Sequence, residues 1–96
     1  MKMATSVIKG AFRIETYTAT YTLNSGANMW ITKSDFGMTA ISGWEPVALL
    51  CCASGDDGVL IRTFNLTISN VLNIRNVTSA KVSSKTATII VLYLPK

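Results

Sequence analysis

Ninety-six residues leave room for one domain, 1–96, near the lower end of sizes at which a single core is stable without staples. Hydrophobic residues make up 49% of the chain and charged residues only 15%, an apolar surplus that points to a subunit interface. Nine Lys and Arg outnumber five Asp and Glu, yet the basic residues lie singly from Lys2 to Lys96, with no basic stripe and no interleaved aromatics, which argues against a nucleic-acid partner.

Val7 and Ile8 open a short apolar stretch, and Gly10 permits a bend before the long segment from Phe12 to Leu23. Within it Phe12 and Ile14 share one parity, whereas Tyr17, Ala19, Tyr21 and Leu23 share the other. The switch near Glu15 and Thr16 predicts a β-bulge there. Asn24-Ser25-Gly26 is turn chemistry and predicts a hairpin or a tight corner. Met29 to Thr32 reads as a short strand carrying Trp30, and Lys33-Ser34-Asp35 with Gly37 reads as a loop. Gly43 and Pro46 then mark the edge of a strongly apolar run. From Val47 to Ala53 both parities are apolar, which predicts a strand buried on both faces at the centre of the fold.

Ser54-Gly55-Asp56-Asp57-Gly58 is the strongest turn signal in the chain and predicts a hairpin between the strands that flank it. In the next segment Leu60, Arg62, Phe64, Leu66 and Ile68 form a largely apolar parity, opposed to Ile61, Thr63, Asn65 and Thr67. Asn70 to Val77 reads as a further strand, and the polar stretch from Thr78 to Ser84 turns the chain back. Ala87 to Leu94 carries Ile89, Val91 and Tyr93 on one side and Ile90, Leu92 and Leu94 on the other, so both faces want burial and one of them is expected to meet a partner subunit. No window shows helical periodicity without crossing a Gly, a Pro or a β-branched run. Seven or eight short strands of this kind predict an all-β fold, a small antiparallel β-sandwich of jelly-roll-like type.

The chain contains no histidine, which removes the commonest general base and the commonest transition-metal ligand. Cys51 and Cys52 are adjacent and lack the spaced second pair of a zinc site, so they read as free thiols suited to a reducing compartment. Asp56 and Asp57 are the closest pair of carboxylates, and their place before Gly58 reads as a hydrated turn rather than a general acid and base. Asn65-Leu66-Thr67 and Asn76-Val77-Thr78 match a glycosylation pattern but read more simply as polar strand positions. The segment beginning Met1-Lys2-Met3 has no apolar core or cleavage site of a signal peptide, and no apolar run reaches the ~20 residues that cross a bilayer as a helix. The expectation is a protein with no catalytic site, no metal or other cofactor and no membrane insertion.

Gly43, Trp44, Pro46 and Val47 lead into an apolar strand, an Arg75-Asn76 step closes a later one, and Val91-Leu92-Tyr93 stands near the end. In these residues the second half of the chain resembles the C-terminal head domains of phage and prophage tail-fibre or baseplate proteins. What the resemblance implies is a β-sandwich head, usually trimeric, located in the virion tail after synthesis in the bacterial cytoplasm, with other tail proteins and a host-surface polysaccharide or protein as partners. The binding residues expected on that reading are Trp44 at a loop-to-strand junction, Lys33 and Asp35 in the loop from Lys33 to Gly37, and Asp56 and Asp57 in the loop from Ser54 to Gly58. A purely architectural subunit, a capsid decoration or tail-assembly protein that binds only viral proteins, is the alternative.

Overall fold

A computed structural model describes residues 5–96, with the backbone path alone for 5–9. The reading of Met1-Lys2-Met3 lies outside the described residues. Seven strands and one turn of helix follow in the order β1 (Thr5–Lys9), β2 (Phe12–Leu23), β3 (Asn28–Thr32), α1 (Lys33–Phe36), β4 (Trp44–Ala53), β5 (Val59–Phe64), β6 (Asn70–Asn76) and β7 (Val82–Pro95). They form two antiparallel sheets, β1-β2-β7-β4 and β3-β6-β5, so the chain is an all-β sandwich. Most connections pass from one sheet to the other, and the last strand inserts between β2 and β4. A strand of 14 residues is about 46 Å long at ~3.3 Å per residue. The molecule is accordingly elongated, 47 × 21 × 18 Å.

The core lies between the sheets. Tyr17, Ala19, Tyr21 and Leu23 of β2 and Ala87, Ile89, Val91 and Tyr93 of β7 meet Ile31 of β3, Val59 of β5 and Val71, Leu72 and Ile74 of β6, with Phe36 of α1 closing one end. Every odd position of β2 from Glu15 to Leu23 is buried, the period-2 pattern of a half-buried strand. The expected bulge at Glu15 and Thr16 is absent: β2 keeps one register against β7 from Arg13 to Tyr21 and shifts only between Tyr21 and Leu23. What looked like a phase switch is a carboxylate occupying an inward position. Glu15 is buried there against the Arg13 guanidinium at 2.5 Å, which compensates its charge, while Ile14 belongs to the outer face.

Three further expectations are corrected. β4 is an edge strand, not the centre of the fold, with Val47 and Leu50 exposed and only Leu49 and Cys52 of its run from Val47 to Ala53 packed on the core. Register shifts between Pro46 and Ala48 and between Leu49 and Cys51 break its alternation, so apolar residues at both parities do not mean burial on both faces. The turn at Ser54 to Gly58 is real, but it joins β4 of one sheet to β5 of the other rather than closing a hairpin. In β5 it is Val59 and Ile61 that face inward, while Leu60, Phe64 and Ile68 of the expected apolar parity are exposed and only Leu66 of it packs against the core.

The loop expected at Lys33-Ser34-Asp35 is one turn of helix. Thr32 caps it: its Oγ1 accepts from the Asp35 N–H at 3.1 Å, and its own N–H donates to Asp35 Oδ2 at 2.9 Å. Gly37, in the left-handed region at φ 72°, ends the turn.

Candidate functional site

The expected binding residues fall at opposite ends of the sandwich. Trp44 opens β4, paired with Pro95, and Lys33 and Asp35 sit on α1 at the same end. Asp56 and Asp57 follow the far end of β4, about 30 Å away along ten residues of strand. The structure therefore brings Lys33 near the Trp44 end but does not join it to the aspartates.

Several of these side chains are already engaged. The Asp35 carboxylate is occupied by the helix cap. Trp44 is half-buried and packs on the core. Asp56 Oδ1 accepts from the Gly58 N–H at 2.8 Å and Oδ2 lies 3.8 Å from Lys85 Nζ, so this residue shapes its own turn. Asp57 is exposed.

Lys33 lines a depression of about 100 Å³ together with Met38, Thr39, Ala40, Pro46 and Tyr93. Pockets for small organic ligands are typically ~300–1,000 Å³, so this one takes a single small substituent at most. Behind it the Tyr17 and Tyr93 hydroxyls bond each other at 2.6 Å. Burial pushes the Tyr17 phenol far up, reinforced by that bond, and burial likewise raises Tyr93. Both remain protonated and form a polar clasp between the neighbouring strands β2 and β7 on the inner face of one sheet. The Cys52 thiol is also raised, first by burial and then by neighbouring Cys51; both cysteines are free. Among the described residues no cluster of three His, Cys, Asp or Glu is placed to hold a metal.

Both Asn-x-Thr triplets bracket turns: Asn65 lies beyond the end of β5 rather than in a strand, whereas Asn76 is the last residue of β6. Asn65 Oδ1 accepts from the Thr67 N–H at 2.8 Å and from its hydroxyl at 2.7 Å on the surface. Asn76 repeats that geometry with Thr78, at 2.9 and 2.6 Å, but is wholly buried, and its Nδ2 donates to the carbonyls of Leu23 at 3.0 Å and Ala80 at 2.8 Å. One side chain thus ties three segments of the far end together.

The surfaces with most to offer a partner are the two outer sheet faces. On the four-stranded sheet the outer rows run Ile14–Leu92–Ala48, Thr16–Ile90–Cys51, Thr18–Thr88–Ala53 and Thr20–Thr86. None of these residues is charged. Beside them Val47 is 44%, Leu50 51% and Leu94 40% exposed. On the three-stranded sheet the outer rows are Asn28–Arg75–Leu60 and Trp30–Asn73–Thr63. The sequence contained a signal for the first face in the two-faced strand from Ile89 to Leu94; it contained none for the second, whose residues come from three separate segments.

Comparison with protein-family models, with curated proteins and with solved structures found no match.

Proposed function

We propose that this chain is a non-catalytic head module of phage-tail type, which self-associates as a homotrimer and holds a host-surface polysaccharide or protein. The observation that carries the reading is the apolar stretch of the outer face of the four-stranded sheet, where Val47, Leu50 and Leu94 border Ile14, Ile90 and Leu92 and Glu45, paired with Leu94, marks the charged rim. Fully burying a Val or Leu side chain stabilises by ~1.5–3 kcal/mol, so covering the exposed half of each of these three contributes about 1 kcal/mol apiece per copy. A face of this composition meets another copy better than it meets water. The resemblance of Gly43, Trp44, Pro46, Val47 and Val91-Leu92-Tyr93 to tail-fibre and baseplate heads supplies the trimeric state, the tail partners and the virion location.

Light scattering on the purified chain tests the assembly. The expected mass is three times the 10.4 kDa of one copy, falling toward a single copy in Leu50→Asp; a single-copy mass at every concentration refutes self-association. Pull-down against fractionated bacterial envelopes tests recognition, with retention in one fraction supporting it and retention in none favouring the purely architectural alternative.

A further inference from the structure

The three strands of the smaller sheet contain no acidic residue and two arginines. Register places Arg75 on the outer face between Asn28 and Leu60. Arg62 is the extra residue where β5 shifts register between Ile61 and Thr63, and its Nη1 donates to Asn28 Oδ1 at 3.4 Å. Both arginines therefore belong to one outer face, and the ion pairs of the described residues involve only Arg13 with Glu15 and Lys85 with Asp56. One strand repeat away, about 7 Å, lies Trp30, 39% exposed, in a row with Asn73 and Thr63. Asn73 donates its amide to the Met29 carbonyl at 3.2 Å, which leaves its Oδ1 turned to other donors.

We propose that this outer face binds an acidic polysaccharide, the two arginines pairing with its acid groups and Trp30 stacking against a sugar ring. The proposal rests on the recognition half of the function proposed above and moves the ligand from the end loops to a sheet face. Two like charges on one face without an acid are better accommodated when an anion joins them, and an arginine fork matches a carboxylate, sulfate or phosphate in two parallel bonds. The flat indole supplies the apolar face that a pyranose ring covers, and Asn28, Asn73 and Thr63 on the same face supply neutral acceptors and donors for sugar hydroxyls. A single-stranded nucleic acid is disfavoured by the same inventory, since such sites combine a continuous cationic track with several stacking aromatics, and this face has one aromatic and two cations. Presented by a trimer, three such faces turn weak individual contacts into avid binding to a repeating polymer.

Binding of the full-length chain to polygalacturonate, dextran sulfate, neutral dextran and oligothymidylate, at ~50 and ~200 mM salt, tests this. Retention by at least one acidic polysaccharide and not by dextran is expected, weakened at least tenfold in the Arg62→Gln, Arg75→Gln double variant and severalfold in Trp30→Ala. The Lys81→Gln, Lys96→Gln double variant removes the same charge from exposed positions elsewhere and is expected to bind as the parent does. Failure to bind either acidic polysaccharide, equal loss in the two double variants, or tighter binding to oligothymidylate would overturn the proposal. Envelope retention that survives Arg62→Gln, Arg75→Gln would also overturn it while leaving recognition intact. Light scattering on the same samples reports assembly separately.

Discussion

Replacing Asn76 with Ala strips four hydrogen bonds from a side chain that no solvent reaches. The Ala80 carbonyl keeps the Thr78 hydroxyl at 2.8 Å, so the groups left without their side-chain partner are the Leu23 carbonyl and the Thr78 N–H. Each such loss in a buried setting costs roughly 1–3 kcal/mol, and the expected destabilisation is about 3 kcal/mol. A domain of this size loses ~4–8 °C per kcal/mol, which corresponds to about 12–24 °C in Tm. Asn65→Ala is the matched control, because it removes the same two turn bonds from Thr67 at an exposed site, and its cost is expected to stay below about 1 kcal/mol. Thermal and urea denaturation at one fixed protomer concentration compare the two, since assembly otherwise adds to apparent stability. Equal costs, within ~0.5 kcal/mol, would refute the claim that burial rather than turn geometry sets the value of this bracket.

Gly55→Ala places a Cβ 2.1 Å from the Thr86 carbonyl oxygen at φ 83°, whereas Gly43→Ala, at φ 84°, meets open space; the first is expected to cost at least about 2 kcal/mol more than the second in urea titration. Because burial raises the Tyr17 and Tyr93 phenols above their ordinary value of 10.0, the stability they carry is fully present below about pH 10 and is lost as pH rises beyond it, when the unfolded chain ionises first. Tyr17→Phe should make that alkaline decline shallower, measured as unfolding free energy against pH. Cys51 is exposed and Cys52 is half-buried with a raised thiol, so maleimide labelling is expected to modify Cys51 first. Its rate should increase in Leu50→Asp, because the row containing Cys51 lies within the proposed trimer contact; an unchanged rate argues for a different contact.

The all-β class and most strand positions were legible because β-branched residues and period-2 alternation are local properties. The turn at Asn24 to Gly26 was legible for the same reason, with Gly26 at φ 73° and Gly43 and Gly55 also left-handed. Strand partners were not. The Ser54 to Gly58 segment has the composition of a hairpin turn, yet whether the next strand returns beside β4 or crosses to the other sheet depends on β7, more than twenty residues later, which occupies one flank of β4. The apolar run from Val47 to Ala53 misled because hydrophobicity reports a preference for leaving water and not the neighbour that provides the shelter; at an edge the strand has a sheet neighbour on one flank only. Glu15 misled in the opposite sense, since a carboxylate in an inward position is intelligible only once Arg13 is seen two residues away on the same strand face. The capping box at Thr32 and Asp35 was open to detection from the Thr-x-x-Asp spacing and was obscured by the shortness of the helix it starts.

The outer face assembled from Trp30, Arg62 and Arg75 was invisible for a further reason. Its residues are separated by up to 45 positions and converge only through the register of β3, β6 and β5, and one of them reaches the face through a bulge. None of the loop residues favoured at the outset contributes to it.

The two slips in β4 carry a consequence for how copies of this chain accumulate. A foreign strand extending the sheet at that border would meet a rim that changes step at Pro46 and again at Leu50, where matched pairing runs for no more than a few residues and one amide is missing altogether. Open-ended growth, in which each newcomer offers the next a fresh template, is therefore blocked on this flank, whereas contacts between broad sheet surfaces end once their geometry closes. The same irregularities that hid the strand's position thus favour a finite particle over a fibre.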